Sequence, residues 1–87
     1  MRFHEVYEIV TTVEIVHRGH VYRVEVLRSY TRTDDRCYST RVYIQEDVSG
    51  IPHWKPIDIG YVYREDVDSV LAQTLGFLRG RTHRTGV

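Results

Sequence analysis

Cysteine is nearly absent: Cys37 is the only one in 87 residues. This excludes an intrachain disulfide and fits a reducing compartment. Net charge is absent too, because twelve basic side chains balance twelve acidic ones. The chain therefore lacks the global pull that most nucleic-acid binders use, and a nucleic-acid role would need a local patch. No stretch approaches the run of about 18 apolar residues that a membrane span needs, and the opening Met1-Arg2-Phe3-His4-Glu5 has no apolar signal segment. A soluble, cytoplasmic protein with no membrane partner is expected. Glycine-rich phosphate loops, GxSxG and HExxH are missing. Lysine occurs once, at Lys55, against eleven arginines. That bias suits an interface built on planar, forked and stacking contacts, and a GC-rich genome produces it equally.

What is present is ordinary globular composition, 41% hydrophobic and 28% charged. A chain this short has room for one core, burying about 60 to 65% of its unfolded surface, so self-association is an inexpensive further source of burial. The expected organisation is one α+β domain over residues 1–80 followed by a flexible basic tail over 81–87.

From Glu5 to His17 apolar residues alternate as Tyr7, Ile9, Val13 and Ile15, with β-branched residues filling most of the segment. Gly19 marks a turn, and Tyr22, Val24, Val26 and Tyr30 continue on one face. A two-residue loop at Arg18-Gly19 pairs His17 with His20, Ile15 with Tyr22, Val13 with Val24, Tyr7 with Tyr30, and Glu14 with Arg23. After Thr33-Asp34-Asp35 a third strand is expected from Arg36 to Val48, with Tyr38 beside Tyr30 and Val42 beside Val26. Pro52 and Pro56 make residues 54–62 a loop or an edge strand. The alternation of Ile57, Ile59 and Tyr61 favours a short fourth strand. From Arg64 to Arg79 the period becomes helical, with Val67, Val70, Leu71, Thr74, Leu75 and Leu78 in one stripe. Glu65, Asp66 and Asp68 suit the start of this helix and Gly80 is a C-cap candidate. Gly76 inside it suggests close approach to the sheet. The fold class expected is an antiparallel three- to four-stranded meander with one C-terminal amphipathic helix packed on one face.

One helix covers one face, so the other is free. It is expected to carry Val6, Glu8, Val10, Thr12, Glu14, Val16, Val21, Arg23, Glu25, Leu27, Arg41, Tyr43 and Gln45, a mixture more apolar than a solvated face needs. The segment 28–41 adds Arg28, Arg32, Arg36 and Arg41 beside Tyr30 and Tyr38, a composition like that of protein-binding hot spots. The candidate partner-binding residues are therefore Arg23, Arg28, Arg32, Arg36, Arg41 and Tyr43, around an apolar centre of Val10, Val16, Val21 and Leu27. The plainer reading makes the two tyrosines core, the arginines solvated and Asp34 and Asp35 turn residues.

These features point to a non-enzymatic protein-binding module, such as an accessory, inhibitor or phage-type regulatory protein, acting on another protein and as a homodimer. The alternative is single-stranded DNA or RNA binding by the same face, with the Arg81 and Arg84 tail. The strand-then-helix order is similar to that of the Whirly proteins, a likeness of fold order alone. Glu8, Glu14 and Glu25 on the free face count against a nucleic-acid role. His17 and His20 flank the hairpin, but two ligands do not make a zinc site, and neither a metal nor a cofactor is expected. Cys37 with a histidine is the one nucleophile and base pairing worth naming, and no local motif supports it.

Overall fold

The structure is a computed structural model that describes residues 6–60 and 62–84. Four antiparallel strands, β1 (Tyr7–His17), β2 (His20–Ser29), β3 (Tyr38–Val48) and β4 (Ile51–Ile57), lie side by side in chain order, and one helix, α1 (Val67–Arg84), follows. The α+β meander with a C-terminal helix is the fold that the alternation predicts.

Two hairpins are closed by the same local device. Arg18 and Gly19 have φ of 52° and 80°, and Ser49 and Gly50 have 53° and 80°. Two successive left-handed residues twist the backbone in the sense that matches the strands on either side. The first turn fixes His17 opposite His20, and from there Ile15 meets Tyr22, Glu14 meets Arg23 and Val13 meets Val24. That register is the expected one. It fails beyond Thr11, because a bulge places Val10 as an extra residue and Ile9 pairs with Leu27. Tyr7 then pairs with Ser29 rather than Tyr30. One added residue exchanges faces, so Tyr7 and Ile9 turn away from the helix and Glu8, opposite Arg28, turns toward it. Tyr30 leaves the strand, and its N–H donates to the Val6 carbonyl at 2.9 Å.

Between β2 and β3 the loop is longer than expected. Val42 stands opposite Val24 instead of Val26, and Tyr38 stands opposite Arg28. The displacement is two residues, so each side chain keeps its face. The fourth strand is Ile51–Ile57 rather than a segment within 54–62. Both prolines sit inside it, which an edge strand tolerates. Ile59 lies past its end against the core, and Tyr61 lies outside the described residues. The chain returns at Arg64, whose N–H and carbonyl exchange bonds of 2.9 and 3.1 Å with Tyr38.

The helix starts at Val67, three residues later than its pattern suggests, because Asp66 caps it. The Asp66 carboxylate accepts the Ser69 N–H at 2.7 Å, the geometry of an N-cap. This bond holds the Asp66 carboxyl below the usual aspartate range. The helix runs through Gly80 to Arg84, so Gly80 lies inside it and is not its cap. Residues 85–87 of the expected tail lie outside the described residues. Gly76 makes no close approach either, since a Cβ there would meet nothing within 4 Å.

Val70, Thr74 and Leu78 form the buried centre of the helical stripe, and Leu78 packs with Tyr22, Val24 and Val42. Ile15, Ile44, Ile57, Ile59 and Leu71 surround this cluster. The buried Thr74 hydroxyl donates to the Val70 carbonyl at 2.9 Å and accepts from the Thr40 hydroxyl at 2.8 Å. Among the described residues no buried side-chain polar atom lacks a partner. Among the described residues no helix is long and apolar enough to cross a membrane.

Candidate protein-binding face

The face turned away from α1 can be read row by row across the sheet, because directly paired residues share a face. Glu14, Arg23, Tyr43 and Pro56 form one row, and Thr12, Glu25 and Arg41 the next. Val16 beside Val21 lies toward the hairpin end, with Trp54 beside Gln45 on the far side. Arg23 organises the middle. Its guanidinium bonds Glu14 at 3.3 Å and lies 4.1 Å from the centre of the Trp54 ring. The attraction of the cation to the ring face holds the indole against the guanidinium. The result is an apolar and aromatic patch of Val16, Val21, Tyr43, Trp54 and Pro56 around a neutralised arginine. Val16 is 73% exposed.

A second cluster occupies the other end of the same face. Arg41 lies 5.6 Å from the Tyr7 ring, the Tyr7 and Tyr63 hydroxyls are 3.2 Å apart, and Arg32 lies 4.0 Å from the Tyr63 ring. Tyr7, Arg41 and Tyr63 edge a cleft of about 540 Å³ beyond the end of β4, with Leu27, Ser39, Ile57 and Val62 also in its wall.

The ten predicted contact residues do not come together. Arg23, Arg41, Tyr43, Val16 and Val21 share the open face. Val10 is the extra residue of the bulge and is exposed on the edge strand. Leu27 lies on the same face but is 3% exposed, in the wall of the cleft, so it belongs to the interior and cannot meet a partner. Arg28 is on the helix side, opposite Glu8 and 5.5 Å from the Tyr30 ring. Arg32 and Arg36 belong to the loop between β2 and β3. There Arg32 bonds Asp34 at 2.8 Å and the Arg36 carbonyl at 2.8 Å, while the Asp34 carboxylate accepts the Arg36 N–H at 3.0 Å. Asp34 is held below the usual aspartate range first by its bond from Arg32. Asp34 thus serves the turn, as the plainer reading has it, while Arg32 is half-buried and bonded within the loop rather than solvated. Tyr30 is exposed rather than core, and its hydroxyl donates to Glu8 at 2.6 Å, a bond that raises its pKa.

Trp54, Pro56, Tyr7 and Tyr63 are site residues that sequence reasoning did not single out. The spacing of Pro52 and Pro56 was the available signal for Trp54. Two prolines four apart after a Ser-Gly turn fit the outward positions of an edge strand, which puts Trp54 in register with them. Tyr7 carried no such signal, because the bulge that turns it over leaves the alternation intact.

His17 and His20 face each other across the hairpin, yet no group of three or more His, Cys, Asp or Glu suited to a metal exists among the described residues. Cys37 is half-buried. No protein-family model, curated protein or solved structure matches this chain.

Proposed function

We propose that the chain is a small non-enzymatic module that binds another protein through the sheet face opposite α1. One observation carries this reading: Arg23, paired to Glu14, stacks on Trp54 on the face that α1 does not cover, which also carries Tyr43, Val16 and Val21. Arginine, tryptophan and tyrosine are the residues from which interface hot spots are built, and pre-stacking them lowers the ordering cost of association. A contact there would bury the patch while leaving the core untouched. Roles as an accessory, inhibitor or regulatory protein all fit this mode of action.

The test is a comparison of the wild type with a Trp54→Ala, Tyr43→Ala double variant, each immobilised and challenged with lysate. The reading expects a specific protein retained by the wild type and lost by the variant, with the melting temperature little changed. Equal retention by both would refute it. Oligonucleotide binding that falls steeply with salt would instead favour nucleic acid. Glu14 and Glu25 on the face, and the arginines already stacked on the chain's own rings, weigh against that outcome.

A further inference from the structure

The two edges of the sheet are built differently. A two-residue hairpin closes on a pair that exchanges both backbone bonds, and bonded pairs then recur at every second residue. In the hairpin closed by Val48 and Ile51, residues Ile51, His53, Lys55 and Ile57 bond inward, so Pro52, Trp54 and Pro56 face the outer edge. Two of those three positions lack an N–H. Lys55 adds a charge to the strand, and β4 is only 7 residues long. Proline, lysine and shortness are the usual means of closing an edge to further strands. This edge is closed.

The edge formed by β1 is open. It runs for 11 residues without proline, lysine or arginine. The closing pair His17 and His20 sends the Ile15 and Val13 bonds inward, so the N–H and carbonyl groups of Thr12, Glu14 and Val16 point away from the sheet. Glu14 is the only charged side chain between Thr11 and Val16, and Arg23 of the same chain already holds it at 3.3 Å. Ile9, Val10 and Val16 are all exposed on this strand.

From this asymmetry we infer that β1 is the seam of a homodimer, pairing antiparallel with β1 of a second copy to make a continuous eight-stranded sheet. Addition of β1 to β4 of another copy would build an open filament, and the prolines forbid it. Pairing β1 with itself closes after two copies. Outward-facing residues must meet outward-facing residues, and Glu14 opposite Glu14 sets like charges together. Centring the seam on Val13 places Glu14 opposite Thr12 and avoids that cost. The bulge at Val10 ends the straight stretch and limits the seam. This inference does not depend on the protein-binding face, which stays open in the dimer because Trp54 lies on the opposite edge strand.

Sedimentation of the full chain over a wide concentration range tests it, together with Thr12→Pro and a Tyr43→Ala, Trp54→Ala double variant. The Thr12 N–H points outward, so proline there removes a seam bond and no bond to β2. A dimer is expected for the wild type, loss of the dimer for Thr12→Pro, and an intact dimer for the face variant. Because Thr12→Pro could disturb folding, amide exchange of the wild type gives a second readout: Thr12 and Glu14 should gain protection as concentration rises. A wild type that is monomeric at every concentration overturns the inference, as does a dimer that Thr12→Pro leaves intact. Protection of β1 only when a foreign protein is added would overturn it equally, and would assign the edge to that partner. Loss of the dimer in the face variant alone would move the seam to the face. Failure of lysate capture bears on the protein-binding reading and leaves the seam untouched.

Discussion

At the scale of single residues, several side chains suggestive of binding are occupied in holding the chain's own geometry. Arg32 is the clearest case, because it ties Asp34, the Arg36 carbonyl and the Tyr63 ring to one loop. Arg32→Ala should therefore lower the melting temperature, whereas Arg41→Ala, exposed on the open face, should change it little; thermal unfolding followed by circular dichroism reads both. Gly76 gives the opposite sign. It sits in the helix with open space where a Cβ would go, so Gly76→Ala should stabilise the chain by about 0.5 to 1 kcal/mol in denaturant unfolding. The two shifted aspartates set a pH dependence. Asp34 and Asp66 have folded pKa values below their unfolded ones, so each contributes stability above the unfolded aspartate pKa of about 3.9 and loses it as pH falls through the lowered value. Unfolding midpoints measured from neutral pH downward should fall across that acidic window, and Asp66→Asn should flatten the fall.

At the scale of elements, the helix and the first hairpin were the most legible parts of the sequence, for different physical reasons. The helix declares itself through Val70, Thr74 and Leu78, whose spacing forces one buried stripe. Leu78→Ala should cost about 2 to 5 kcal/mol, with the lower end expected if the sheet relaxes into the space. The first hairpin declares itself through Gly19, and the turn then dictates seven pairings in succession, from His17 with His20 to Thr11 with Val26. The register of Tyr7 was illegible because Ile9, Val10, Thr11 and Thr12 offer a strand-forming side chain to either face. Nothing in that run marks where an extra residue enters. The position of β4 was hidden for a related reason, since two prolines read as breakers until the edge is known to need no outward N–H. Of the site, Arg23, Arg41, Tyr43, Val16 and Val21 followed from alternation alone. Trp54 and Tyr7 depended on a strand boundary and a bulge that alternation does not encode.

At the scale of the whole molecule, a four-stranded sheet carries one helix, so half its surface has a cover and half does not. The uncovered half is arranged, with its aromatic side chains held by arginines and its central charge compensated by Glu14. Two surfaces are thus proposed for contact, a face for another protein and an edge for a second copy. Trp54 is the only tryptophan in the chain and lies on that face, which makes its fluorescence a direct reporter. The decisive measurement is acrylamide quenching of Trp54 while the chain is titrated with a tryptophan-free fragment of its captured partner. The account predicts quenching that falls in proportion to complex formed, with emission moving to shorter wavelength; saturable binding that leaves both unchanged would contradict it.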